Sequence, residues 1–215
     1  MSVTKTLFDT MPDGTEVYLL TIENNNGVSA GIITRGATLQ SFVCPDKEGK
    51  MGDIIMGFDN VAGHIASGTY TGNIIGQYAN RLCGGRFTVG GKEYQVTQNE
   101  KGKTCLHGGG EFNSAVWKAI IIDDDAVEFS YKSPDGKEGF PGNLDVTVTY
   151  ILTDHNELEI RYKAVPDCVQ LSCAGYVYGI CDVGLLSDDI SCEEPASSVS
   201  SPDLMPSATA EMGRT

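Results

Sequence analysis

Alternation of apolar and polar residues with a period of two governs the chain as far as about residue 167. Leu158, Ile160, Tyr162 and Ala164 alternate with Glu157, Glu159, Arg161 and Lys163, the pattern of an antiparallel strand with one face buried. Val146, Val148, Tyr150 and Leu152 predict the strand before it, joined through a turn at Thr153-Asp154-His155-Asn156. Phe87, Val89, Tyr94 and Val96 flank Gly90-Gly91, a pair that tolerates the positive φ angles of a two-residue hairpin turn. Trp117–Ile122 and Val127–Tyr131 predict a further hairpin around Asp123-Asp124-Asp125. Three adjacent aspartates form a solvated turn; a calcium loop spreads its oxygen ligands over a longer stretch with a glycine hinge. The one helical candidate is short, Asn60 to Ala66. These signals describe an all-β, antiparallel β-sandwich without internal repeats.

Composition divides the 215 residues into two texts. Residues 1–167 hold 14 basic and 22 acidic residues and carry the strands. Residues 168–215 hold seven acidic residues, one basic, eight Ser, three Pro and four of the seven Cys. From Glu193 to Thr215 no periodicity could bury a face, and disorder is expected there. A net charge of −14 opposes binding to nucleic acid, whose phosphates it would repel. No 18-residue apolar window suggests a membrane span, and acidic residues interrupt the first 20 where an export signal would be apolar. Seven cysteines, an odd number without a Cys-x-x-Cys pair, suit reduced thiols better than a disulfide framework. The expectation is therefore a cytoplasmic protein.

Chemistry concentrates in two short segments, Gly76-Gln77-Tyr78-Ala79-Asn80-Arg81 and Cys105-Leu106-His107-Gly108-Gly109-Gly110. Three glycines after a histidine let backbone pass close to a ligand beside an imidazole. Arginine next to asparagine offers a fork of donors and a two-way amide, suited to sugar hydroxyls. The plainer alternative pairs Arg81 with a surface carboxylate and uses His107 to cap a turn. Other chemistries fail on spacing. Gly102-Lys103-Thr104 resembles the end of a phosphate loop, but Thr97 stands where its first glycine belongs. His64, His107 and His155 lack zinc-ligand spacing, so no metal is expected. No Gly-x-Ser-x-Gly elbow is present for a serine hydrolase.

Three segments together resemble the aldose 1-epimerase (galactose mutarotase) family: Tyr70-Thr71-Gly72 through Gly76–Leu82, Asn99 through Leu106-His107-Gly108-Gly109, and Ser133-Pro134-Asp135-Gly136 through Leu144. They occur in the family's order, and the resemblance spans about residues 5–167. It implies a β-sandwich of the galactose mutarotase type that binds a hexopyranose in an open cleft and interconverts its α and β anomers without a cofactor. In that chemistry a base removes the proton of the anomeric hydroxyl while an acid protonates the ring oxygen. The ring opens to the aldehyde, C1–C2 rotates, and reclosure gives the other anomer. Carried onto this sequence, the resemblance gives Asn80 and Arg81 as sugar-hydroxyl binding residues and His107 as a substrate-positioning, hydrogen-bonding histidine. It reads Ser133–Leu144 as a structural turn entering a strand, its loop at the edge of the cleft.

The sequence departs from the family in two places. Gln77 stands where the family commonly has Arg. Beyond Ala164, where the family carries an Asn-His-x-Tyr-Phe motif with the general acid and later a binding Asp and a basic Glu, the chain reads Val165-Pro166-Asp167 and changes character. Aligning Leu171–Val177 with that strand puts Ala174 at the histidine's place, and no catalytic acid or base is found. The change at Asp167 suits a foreign reading frame, or else a specialised tail. The sandwich is expected to be incomplete on its C-terminal side, with an exposed apolar edge at Val146–Leu152. Three outcomes follow for such a chain: an impaired epimerase, a non-catalytic carbohydrate-binding remnant, or an unstable product.

Overall fold

A computed structural model describes residues 1–168 and the strand residues 208–209. Five strands open the chain as an antiparallel meander: β1 (Ser2–Thr10), β2 (Glu16–Glu23), β3 (Ser29–Ile33), β4 (Thr38–Pro45) and β5 (Met51–Asp53). Helix α1 (Val61–Ala66) follows, capped by the Asn60 side chain, which accepts from the Gly63 amide at 2.8 Å. Two small ladders come next. β6 (Arg81–Cys83) pairs with β9 (Thr104–Leu106), and between them β7 (Arg86–Val89) and β8 (Lys92–Gln95) form the Gly90-Gly91 hairpin. Both of those glycines have positive φ, 58° and 76°, as the turn requires.

The second large sheet contains β10 (Lys118–Asp123), β11 (Ala126–Ser133), β12 (Leu144–Leu152), β13 (Leu158–Pro166) and the two-residue β14 (Ala208–Thr209), in that order. Every strand that the sequence pattern predicts lies here or in the Gly-Gly hairpin, with ends displaced by one or two residues. The turn between β12 and β13 closes through Asn156 N–H donating to Thr153 O at 3.1 Å, with Asn156 at φ 65°. The fold is the expected antiparallel β-sandwich. Leu20, Ile22, Ala30 and Ile32 of the first sheet share one core with Val127, Phe129, Val146, Val148 and Tyr150 of the second. Tyr150 crosses that core and donates its hydroxyl to Ala37 O at 2.8 Å. A polar clasp closes one end: buried Asn24 donates to Thr153 O at 2.9 Å and to Asn156 Oδ1 at 2.8 Å.

Two expectations need correction. Val146–Leu152 is not an open edge, because β12 lies between β11 and β13 with its alternate residues buried. The β10–β11 hairpin supplies the neighbour on that side. Nor is α1 the only helix. Glu111–Ser114 forms a four-residue helix, α2, and single 3-10 turns occupy His107–Gly110 and Lys137–Gly139. Such one-turn helices are too short to leave a periodic signal. The expected disorder over 193–215 and the alignment of Ala174 lie outside the described residues, apart from Ala208–Thr209.

Candidate functional site

Register brings the two chemistry-bearing segments together. In the β6–β9 ladder Arg81 lies opposite Leu106, so Asn80, one residue before, meets His107, one residue after. Two hydrogen bonds lock the meeting. His107 N–H donates to Asn80 O at 2.9 Å, and Asn80 N–H donates to His107 Nδ1 at 3.0 Å. Both residues have left-handed backbones, φ 62° for Asn80 and 52° for His107. A conformation that costs a non-glycine residue about 1 kcal/mol or more persists only where its surroundings enforce it.

His107 is nearly buried, with 5% of its surface exposed, and the Tyr70 ring packs edge-on against it at 4.5 Å. Burial drives its pKa down to about 4, with the Arg81 guanidinium pushing the same way and Glu100 opposing. The ring is thus neutral near pH 7. Because Nδ1 accepts from Asn80, the proton sits on Nε2, and the imidazole is a hydrogen-bond donor at that atom.

Arg81 grips Glu100 through a two-pronged pair, Nε to Oε2 at 2.8 Å and Nη2 to Oε1 at 2.7 Å. Its Nη1 reaches towards Asn80 Oδ1 at 3.5 Å. The surface carboxylate of the plainer alternative is therefore Glu100, which sequence reasoning did not single out. The pair also orients the guanidinium beside Asn80 and His107. Asn99 splints the end of β9, accepting from Leu106 N–H at 2.7 Å and donating to Leu106 O at 2.9 Å.

The glycines after His107 press against the chain's own segments. A Cβ on Gly108 (φ 70°) would overlap the backbone carbonyl of Gly76 and the nitrogen of Gln77. At Gly109 a Cβ would come within 2.8 Å of Glu138 Oε2, so the loop after Ser133 flanks the histidine loop. Among the described residues no three His, Cys, Asp or Glu side chains are placed to hold a metal ion, and no helix is long and apolar enough to cross a membrane.

The sequence profile of the aldose 1-epimerase family matches residues 18–172, most of the chain and all of this site. The chain belongs to the aldose 1-epimerase family. Among its relatives, mouse galactose mutarotase is 38% identical over 165 residues, covering 76% of this chain and 47% of the mouse protein. The Escherichia coli aldose 1-epimerase is 37% identical over 157 residues, or 73% and 45% of the two chains. The chain thus spans about half the length of the curated relatives it matches. A crystal structure of an aldose epimerase homologue from C. elegans superposes with a TM-score of 0.67 at 31% identity, over 72% of this chain and 47% of that one. The galactose 1-epimerase of Lactobacillus acidophilus gives 0.69 at 23% identity, over 80% and 51%, and supports the fold alone.

Proposed function

We propose that this chain carries the hexose-holding part of an anomer-interconverting site and is a weak catalyst in its own right. The supporting observation is the mutual bonding of Asn80 and His107, with Arg81 held beside them by Glu100. A neutral imidazole with Nε2–H, a guanidinium and a carboxamide form a set rich in donors, matched to the lone pairs of sugar hydroxyls and a ring oxygen. The set is poor in proton transfer. A histidine with a pKa near 4 holds almost no imidazolium at neutral pH, and an arginine does not give up its proton. Anomer interconversion needs a base at the anomeric hydroxyl and an acid at the ring oxygen, and the family positions for them are not matched in this sequence. Each missing partner costs about 10²–10⁴ in rate. Buried thiols at Cys44 and Cys105 support a reducing, cytosolic setting.

Galactose binding to the full chain tests this directly. Saturable binding is expected, weakened at least tenfold in Asn80→Ala and His107→Ala. Polarimetry of freshly dissolved α-D-galactose is expected to show little acceleration over buffer. Folded protein without galactose affinity refutes the reading. Strong acceleration lost in His107→Ala refutes the statement that catalysis is weak.

A further inference from the structure

A buried polar chain, built from side chains other than the proposed sugar-binding groups, joins the two site segments. Gln77 is 1% exposed, Ser133 0% and Glu111 4%. The Ser133 hydroxyl lies 2.8 Å from Glu111 Oε2, and Gln77 Nε2 donates to Ser133 Oγ at 3.0 Å. Tyr131 donates its hydroxyl to the other oxygen, Glu111 Oε1, at 3.0 Å. Proton bookkeeping fixes the direction. Serine has one hydroxyl proton; given to the carboxylate, it leaves Oγ to accept from the amide. All donors then run from Gln77 to Glu111. Turning the Gln77 amide over would set its oxygen against a hydroxyl whose proton is already committed. With Glu111 ionised, this is the direction in which each of these hydrogen bonds has a donor and an acceptor, and it leaves the buried Gln77 Oε1 without a partner among the described residues.

Among the described residues Glu111 makes no ion pair. Burial raises its pKa, the Ser133 and Tyr131 hydrogen bonds lower it, and Lys137 and Glu138 act on it with opposite sign from longer range. Apolar side chains would fill this space at lower desolvation cost. What the polar chain adds is placement. Glu111 directly follows the His107–Gly110 loop and begins α2, while Gln77 lies three residues before Asn80. Between them Gly108 rests on the Gly76–Gln77 peptide. Ser133 and Tyr131 belong to β11, an inner strand of the second sheet, so both segments are referred to one rigid element.

We propose that Glu111, acting through Ser133 on Gln77, is a positioning residue that fixes Asn80, Arg81 and His107 relative to one another for a hexose. The proposal rests on the hexose reading of that face. Its test uses a signal that global stability alone does not move, the side-chain nitrogens of His107, assigned with His107→Ala in the full chain. In the wild type Nδ1 is expected as an acceptor nitrogen and Nε2 as a protonated one, and the Gln77 side-chain amide protons exchange slowly. Ser133→Ala and Glu111→Ala are expected to average the two nitrogens towards a tautomer mixture and to weaken galactose binding at least tenfold. Glu111→Gln, which can still accept from Ser133, keeps the wild-type pattern. Val148→Ala, a cavity in the core shared by the two large sheets that leaves every member of the polar chain in place, lowers Tm without altering the pattern.

Unchanged nitrogens in Ser133→Ala and Glu111→Ala overturn the proposal, as does an equal change in Val148→Ala at matched Tm. Should both breaking variants fail to fold, solvent-rate exchange of the wild-type Gln77 amide overturns it, and slow exchange supports it. If the wild type binds no galactose while Ser133→Ala still averages the nitrogens, the hexose reading falls and the positioning of His107 stands.

Discussion

Gly108→Ala tests how tightly the two site segments are pressed together. The residue has φ 70°, where an L side chain costs about 1–2 kcal/mol. Its Cβ would also strike the Gly76 carbonyl and the Gln77 nitrogen, which are backbone atoms that no rotamer change can move aside. Overpacking of that kind adds about 1–3 kcal/mol. Gly102→Ala is the matched control, because Gly102 has φ 64° and nothing lies within 4 Å of the place its methyl group would take. The control should lose about 1–2 kcal/mol and Gly108→Ala about 2–5 kcal/mol, with the unfolded-state effect of Gly→Ala common to both. In urea, with a slope of about 2 kcal/mol/M, the midpoints of the two variants should differ by about 0.5–1.5 M. Hydrogen exchange should localise the damage, since the amides of Asn80 and His107 both donate across the junction. Equal midpoints for the two variants, with unchanged exchange at those amides, would refute the close approach.

Acid should weaken the fold through two buried histidines. His64, held by Gln40 Oε1 at 2.7 Å, and His107 both have pKa values pushed down to about 4, chiefly by burial. Between about pH 6.5 and 4 the unfolded chain takes up protons that the folded chain refuses, so stability falls as pH falls. Urea midpoints measured across that range should decline, and a flat profile contradicts the assignment. Asn24→Ala should cost about 1–3 kcal/mol, because it removes the clasp to Thr153 and Asn156 and the acceptor for the Asn26 and Val28 amides; thermal unfolding reads the loss. Arg81→Lys breaks a two-pronged grip between an exposed guanidinium and the half-buried Glu100 carboxylate, so Tm should hardly change while galactose affinity drops. Loss of both together would make Arg81 a stability residue only.

The second sheet was legible because its strands bury one face each. From Leu144 to Leu152 the side chains alternate without interruption, and a period of two is then readable from residue types alone. What could not be read was pairing between segments distant in sequence. Without it, Val146–Leu152 looked like an edge, although β11 covers its flank. The site shows the same division. Asn80, Arg81 and His107 stand out by composition beside glycines. Glu100 does not, because a glutamate in a turn becomes informative only once the fold sets it beside Arg81, here through the turn that bridges Glu100 to Thr104 at the start of β9. Glu111 was hidden for the opposite reason. Charged residues are seldom buried, and the pattern around Gly110 gives no sign that this one is.

Placement and chemistry have separate owners in this half of the fold. Placement comes from two left-handed residues bonded to each other, a glycine resting on a peptide bond, and the buried Glu111–Ser133–Gln77 chain behind them. Of the bonds between Asn80 and His107, the one that depends on a side chain's charge state, Asn80 N–H to His107 Nδ1, needs a neutral imidazole, which a pKa of about 4 supplies, so their geometry should hold across neutral pH. The chemistry is then limited by the same burial that secures it. Enclosing His107 lowers its pKa to about 4 and fixes its proton on Nε2, which favours holding a sugar oxygen and disfavours handing a proton to it. A general acid of this reaction would need a pKa nearer the working pH, hence a more polar setting or a carboxylate neighbour closer than Glu100. Moving Glu100 nearer would loosen its grip on Arg81. On the proposed hexose reading, the residues that hold the sugar are therefore not those that transfer protons, and anomer interconversion needs an acid and a base from outside the Asn80, Arg81 and His107 set.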